Sequence, residues 1–380
     1  MQHEKSENSC AISITPLFVS SDIYKQTGFQ GLHPLAISRI GAVEQFCRHL
    51  GWLAPNNYAA TRPAPKQTLY RFHDTGFVDA IEQADKSGKV SAEVRERYNF
   101  GTMENPLFKG LFNRAATTIA GSIRAAEHAL QGGIAFHPAG GTHHGRPDRA
   151  SGFCYFNDPV FAILTLLDGG LKRIAYIDID AHHGDGVEAA FADRPDVLSF
   201  SIHEEKRWPH SGTQIGCNAY NKCNAPVPRG LHDSEFDYLI DKTLMALLDK
   251  FNPEALVIVC GADALAGDPL SAMNLSNQAL WRAVKKLSQH YNKAVVLGGG
   301  GYNPWTTVRC WAGLWGVLTD RPMPESLPPK LTQTLQGFSS DLVDEDDVLE
   351  EWLIQLHDTP RPVQPIRPEI KQIATQLLAG

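Results

Sequence analysis

The stretch Ala175-Tyr-Ile-Asp-Ile-Asp-Ala-His-His-Gly-Asp-Gly186 decides the fold class, because it runs from an apolar strand directly into metal-ligand and proton-handling side chains. Seven of its twelve residues are Asp, His or Gly. In an open α/β sheet, ligands gather at the carboxyl ends of the parallel strands. This segment changes from Ile, Tyr and Ala to Asp and His where such a strand would end. A strand with only a packing role has no reason to finish this way.

Outward from it, short apolar runs alternate with longer helical patterns along the whole chain. The runs are apolar on both faces, unlike the half-exposed strands of an antiparallel sheet. Strands are expected at Ala11 to Phe18, Gly133 to Phe136, Arg173 to Asp178, Val197 to Ile202, Ala255 to Cys260 and Ala294 to Leu297. Helices are expected at Leu111 to Leu130, Asp158 to Leu167, Glu235 to Phe251 and Ser276 to His290. Such alternation predicts an α/β fold with a mostly parallel central sheet covered by helices on both faces. Arg207 to Arg229, rich in Gly, Pro, Asn and His, reads as a long surface loop near the strand ends. From Arg321 onward come prolines, the acidic run Asp341-Leu-Val-Asp-Glu-Asp-Asp347, read as a solvated face or helix start, and a short amphipathic helix near Leu349 to His357. The expected organisation is one catalytic domain over residues 1–320 and a Pro-containing acidic extension over 321–380, packed on that domain or trailing from it.

The 380 residues are 43% hydrophobic and 20% charged, as in an ordinary globular protein with a sizeable core. A formal charge of -7 argues against nucleic acid as a partner and is compatible with a cationic small molecule or a lysine-bearing peptide. The seven cysteines are scattered and form no Cys-x-x-Cys pair, which fits free thiols in a reducing compartment. Cys217 and Cys223 are close enough to suggest a metal or disulfide pair, but with further partners missing they are read as two unconnected thiols. With no apolar leader and no bilayer-spanning run, no membrane partner is expected and the location is expected to be cytoplasmic.

Asp180 and His182, two apart at the strand end, can converge on one metal without an intervening helix. Asp263 in Val259-Cys-Gly-Ala-Asp-Ala-Leu-Ala-Gly-Asp-Pro269 follows another apolar strand and offers a third ligand. One His and two carboxylates leave positions open for water and substrate, and they suit Zn²⁺ or Fe²⁺. The tandem His143-His144 supplies imidazoles for proton transfer, and Asp178 and Asp185 can fix their tautomers. Gly298-Gly-Gly-Gly-Tyr302 ends the last strand and delivers a hydroxyl that can donate to a substrate carbonyl. No Lys-Ser/Thr follows the glycines, so a P-loop is not supported. Each motif alone is more often a solvated turn or a satisfied core pair. All four at strand ends require independent structural explanations to coincide.

Together these motifs, with Ser-Gly-Phe-Cys-Tyr155 and Gly-Thr-Met-Glu-Asn-Pro106, resemble the zinc-dependent histone deacetylase family of the arginase-deacetylase fold, a three-layer α-β-α architecture. The likeness covers roughly residues 12 to 320 and is greatest to the bacterial acetoin-utilization branch. It implies an amidohydrolase acting on acyl-lysine in proteins or peptides, or on related acylated amines. One Zn²⁺ would be held by Asp180, His182 and Asp263. His144 would take the proton of the attacking water, His143 would assist electrostatically, and Tyr302 would polarise the carbonyl. Asp178 would orient His143 and Asp185 would orient His144. The resemblance also implies a structural K⁺ at Asp178, the backbone of Asp180, His182 and Ile202, and the Ser201 hydroxyl. Phe153 and Trp208 would wall a narrow acyl-lysine tunnel, Gly152 and Leu270 would also bind the substrate, Glu104 would take the place of the usual Asp that grips the substrate backbone, and Arg39 would line an internal product channel.

The chain departs from the pattern at Thr142, where class I members carry an aromatic residue, and in the short charged loop Glu204 to His210. A binuclear ureohydrolase of the same fold would need an Asp where Gly184 stands, so one metal is expected. An acetylpolyamine hydrolase would share the zinc chemistry and differ only at the rim. A catalytically silent acyl-lysine reader would lack Tyr302 or a ligand, and none is missing.

Overall fold

A computed structural model describes residues 14–379, except 27, 30–32, 38 and 220. Its nine strands are β1 (Leu17–Ser20), β2 (Tyr58–Ala60), β3 (Ile134–His137), β4 (Ile174–Asp178), β5 (Val197–Glu204), β6 (Gly216–Cys217), β7 (Lys222–Val227), β8 (Ala255–Val259) and β9 (Ala294–Leu297). They form one sheet in the order β2-β1-β3-β9-β8-β4-β5-β7-β6. Every pairing is parallel except β6 with β7.

Every residue of β4, β5, β8 and β9 is buried, the signature of strands covered on both faces. Because side chains alternate across a strand, Tyr176 and Val257 pack with Ala125, Ala126 and Val160 of the Leu111–Leu130 and Asp158–Asp168 helices. Ile177 and Ile258 pack on the other side with Leu280, Trp311 and Trp315 of the Asn277–His290 and Pro304–Leu318 helices. This α-β-α arrangement is the expected fold class.

The expected strands and helices appear with small shifts at their ends. Residues 11–13 of the first expected strand lie outside the described residues, and the strand there is Leu17–Ser20. The helix expected at Glu235 to Phe251 begins at Asp233 and contains a π turn over Ile240–Leu244.

Three expectations need correction or extension. Arg207 to Arg229 is not all loop: β7 within it is buried along its length and pairs with β5. Its polar residues mask the strand because their hydrogen bonds are made inside the fold. Lys222 Nζ donates to Val197 O at 3.0 Å, and Asn224 Nδ2 donates to Glu188 Oε2 at 2.7 Å. Cys217 and Cys223 are not separate thiols but a disulfide, because the antiparallel β6–β7 register sets them opposite each other. The Pro304–Leu318 helix went unread, since it is buried nearly all round and therefore shows no one-sided apolar stripe.

The tail is tied to the sheet's core. Leu331, Leu335, Trp352, Leu356, Ile370 and Leu377 belong to the same apolar cluster as Ile177 and Ile258. Arg309 Nη1, wholly buried, lies 2.9 Å from Asp358 Oδ1 in the tail. The acidic run is largely exposed, with Val343 alone buried.

Candidate active site

Strands β3, β9, β8 and β4 are consecutive in the sheet, so the four loops leaving their carboxyl ends converge. They carry His143-His144, Tyr302, Asp263, and Asp180 with His182. Asp180, His182 and Asp263 present donor atoms that all lie within 4.8 Å of one another, and all three residues are buried. His182 Nδ1 is 3.2 Å from Asp180 Oδ1 and 2.8 Å from Asp263 Oδ2. Tetrahedral ligands at zinc bond lengths stand about 3.3 Å apart, so the donors are spaced for a single small cation. No other such group of three occurs among the described residues.

The electrostatics point the same way. Burial opposes charge on His182, yet Asp180 and Asp263 raise its pKa to about 10. Burial and the neighbouring Asp180 push Asp263 up to about 6. The pocket between the carboxylates therefore attracts a positive charge, which a proton or a metal ion can supply.

Glycines let the loops close around these ligands. A Cβ on Gly300 would stand 2.0 Å from Asp263 Oδ2, and the Gly300 N–H donates to Asp180 Oδ2 at 2.6 Å. A Cβ on Gly184 would stand 2.2 Å from Asp178 Oδ2. The position where a second-metal ligand would be needed thus has no room for any side chain.

The two imidazoles face the cluster with their rings fixed. His143 Nδ1 pairs with Asp178 Oδ2 and His144 Nδ1 with Asp185 Oδ1, each at 2.7 Å. Burial opposes charge on His143, but Asp178 and Asp180 raise it to about 9. Burial, and then His143, lower His144 to about 3. The pair is thereby divided into a charge-holding and a neutral member.

Tyr302 is 7% exposed, with its ring 6.3 Å from His182 and 5.9 Å from Phe153. The helix that starts immediately afterwards positions it: Asn303 caps that helix, its Oδ1 accepting from Trp305 and Thr306 N–H, with Pro304 at the first turn. Tyr302 N–H donates to Asp268 Oδ2 at 2.7 Å.

Above the ligands opens a cleft of about 640 Å³. The five residues expected to meet the substrate, Glu104, Gly152, Phe153, Trp208 and Leu270, line it along with His144, His182 and Tyr302. Trp208 packs edge-on against His144 at 4.5 Å between ring centres. The Glu104 carboxylate is held by Gly152 N–H at 3.0 Å and by the Asn99 and Asn105 amides, each at 3.2 Å. It braces the Gly152-Phe153 wall.

Arg39 lies outside the cleft lining, in an adjoining cavity, and donates from Nη1 to Gly301 O at 2.9 Å. Ser201, on β5, is the register partner of Asp178, and Ile202 follows it. The Ser201 hydroxyl is 2.9 Å from His203 Nδ1.

Several contributors escaped the sequence reading. Arg146 Nη2 pairs with Asp185 Oδ2, Tyr176 OH donates to Asp178 Oδ2, and Asp268 anchors the Tyr302 backbone. Asp268 stood inside a quoted motif, so its strand-end position was an available signal. Tyr176 also stood in a quoted stretch, two residues before Asp178, whereas Arg146 carried no signal, since neither local spacing nor periodicity marks it.

Comparison with known proteins gives concordant results. The histone deacetylase domain family matches residues 33–318. The chain is 30% identical over 324 residues to histone deacetylase 8 of Xenopus tropicalis, covering 83% of this chain and 87% of that protein. It is 32% identical over 329 residues to the acetoin utilization protein AcuC of Bacillus subtilis, covering 83% and 84%. The crystal structure of an HDAC homolog from Aquifex aeolicus superposes with a TM-score of 0.88 at 33% identity, over 95% of this chain and 99% of that one.

Proposed function

Because this chain belongs to the histone deacetylase family, whose members are deacetylases, we propose that it hydrolyses acetylated lysine side chains of peptides or proteins with one zinc ion per chain. One observation carries the proposal: the buried Asp180, His182 and Asp263 cluster faces two carboxylate-bound imidazoles and Tyr302 at the base of a single cleft.

Asp180, His182 and Asp263 would hold the ion; Fe²⁺ suits the same donors. A divalent cation there supplies Lewis-acid activation of water and of the amide carbonyl. His144, with Nδ1 bound to Asp185, keeps Nε2 available to take a proton from water as its oxygen joins the carbonyl carbon. The same nitrogen then returns that proton to the lysine amine as the C–N bond breaks. His143, fixed by Asp178, stabilises developing negative charge, and the Tyr302 hydroxyl donates to the carbonyl oxygen.

Phe153 and Trp208 would flank the aliphatic part of the lysine, with Gly152 and Leu270 completing the wall and Glu104 bracing it at the rim. Arg39 would guide acetate out through the adjoining cavity. A structural K⁺ would use Asp178, Ser201 and the backbone of Asp180, His182 and Ile202; the Asp178 and Ser201 register pairing favours it.

The test is a panel in which zinc-loaded protein meets acetyl-lysine peptides beside acetylated polyamines. Turnover of the peptides with kcat/KM at least tenfold above the polyamines supports the proposal. The reverse order would make the protein an acetylpolyamine hydrolase, and turnover of neither would refute deacetylation.

A further inference from the structure

Three carboxylates and three long-chain cations line the cleft: Glu104, Glu204 and Glu205, with Lys206, Arg207 and Arg229. Their commitments differ. Glu204 is buried and accepts from Arg207 Nε at 2.7 Å, from Arg207 Nη2 at 2.9 Å and from the Ala272 N–H at 2.7 Å. Lys206 pairs with Glu205 at 3.2 Å. Glu104 is held by N–H groups beside Gly152. Arg229 is exposed, and among the described residues its guanidinium enters no hydrogen bond and no ion pair.

The backbone that carries Arg229 is nonetheless fixed. Its carbonyl accepts from Arg367 Nη1 at 2.9 Å, and Arg367 is itself paired with Glu235 at 2.6 Å. The next residue, Gly230, donates its N–H to Ala272 O at 2.8 Å, which ties the segment to the loop of Leu270. The guanidinium is therefore mounted on a braced rim.

Glu204 does feel Arg229. Burial opposes charge on Glu204, but the Arg207 bond, the Ala272 N–H and the charges of Arg207 and Arg229 hold its pKa below the ordinary value. Two guanidiniums thus act on one carboxylate, and Arg207 by itself occupies both of that carboxylate's oxygens. Glu205 and Lys206 cancel each other. That side of the cleft keeps a surplus positive charge, exposed where a substrate enters.

Acetylation removes the charge of the target lysine, so the charges that distinguish one peptide from another sit on its flanking residues. A guanidinium offers forked donors that match a carboxylate and repels a second cation. The net charge of -7 belongs to the whole chain and does not describe this rim.

We infer that Arg229 selects among acetyl-lysine peptides, favouring those with Asp or Glu close to the acetylated residue. The inference rests on the deacetylase reading above and deepens it by naming the substrate class. Arg229 is a specificity-determining residue, since it meets the flanking side chain and none of the reacting atoms.

The experiment uses the zinc-loaded full chain and one acetyl-lysine peptide in which each flanking position is set in turn to Glu, Gln or Lys. Expected at one position or more is kcat/KM falling in the order Glu, Gln, Lys, with a Glu-to-Lys ratio of about fivefold, the scale of an exposed ion pair. The ratio should shrink toward unity as salt is raised from about 0.05 to about 0.5 M. Arg229→Lys should keep the order, Arg229→Gln should bring the ratio within about twofold, and Arg229→Glu should reverse it. Reversal is a response that damage to the fold does not produce. Fluorescence polarisation of labelled Glu and Lys peptides should show the same order in binding. If the Gln peptides are cleaved and no position prefers Glu over Lys, or if Arg229→Glu retains the preference, the assignment is overturned while the deacetylase reading stands. If no acetyl-lysine peptide is cleaved, the deacetylase reading fails and this inference falls with it.

Discussion

Replacing Tyr302 by Phe removes one oxygen atom from the candidate site and little else. Among the described residues Tyr302 hydrogen-bonds through its backbone N–H and not through its hydroxyl, so no protein group is left unsatisfied by the loss of that hydroxyl. The backbone bond from Tyr302 N–H to Asp268 Oδ2 at 2.7 Å survives, as does the Asn303 cap. Ring packing against Phe153 and His182 is also kept. Stability should therefore change by no more than about 0.5 kcal/mol. What is lost is a donor to the oxygen on which negative charge develops, a role worth about 100- to 1000-fold in kcat, or ~2.7–4 kcal/mol. Steady-state acetate release from an acetyl-lysine peptide, with thermal unfolding of both proteins measured alongside, separates the two effects. Expected is a large fall in kcat with a small change in KM and an unchanged Tm. A Tyr302→Phe enzyme within about threefold of the parent kcat would show that Tyr302 does not polarise the carbonyl.

Gly300→Ala would place a Cβ 2.0 Å from Asp263 Oδ2 and 3.0 Å from Asp180 Oδ2, so zinc content measured by elemental analysis should fall well below one ion per chain; undiminished content would contradict the ligand assignment. Asp358→Ala leaves the wholly buried Arg309 without its counter-charge, and denaturant unfolding should show a loss of ~3–5 kcal/mol; a loss under about 1 kcal/mol would mean that the ion pair does not hold the tail. His73 is depressed by burial to about 4 from an ordinary value of 6.5, with Nδ1 near Arg146 O and Nε2 accepting from Asn157 N–H. The unfolded chain binds this proton first, so stability is intact above the unfolded pKa and is lost as pH falls from 6.5 toward 4. Relative to His73→Gln, the parent should lose about 2 kcal/mol between roughly pH 7 and pH 5, and parallel unfolding curves for the two proteins would refute the burial argument.

The rim was legible because each chemical motif directly follows an apolar run. Asp178 to Asp185 after β4, Asp263 after β8 and Tyr302 after β9 all declare their place by local sequence. Their convergence follows from the neighbouring positions of β3, β9, β8 and β4. What stayed hidden depends on partners distant in the chain. Lys222 and Asn224 look like loop residues until β5 and Glu188 supply their hydrogen bonds, and Arg146 declares nothing until Asp185 lies beside it. The Cys217–Cys223 bond became visible only once the β6–β7 pairing set the two residues opposite each other.

Acetate released from an acetyl-lysine peptide, followed as the metal is removed and restored, tests the central claim most directly. Chelated protein should lose activity and recover it on addition of one equivalent of Zn²⁺ or Fe²⁺, while the Asp263→Asn variant should recover little under the same addition. Full activity in chelated, metal-free protein would contradict the account.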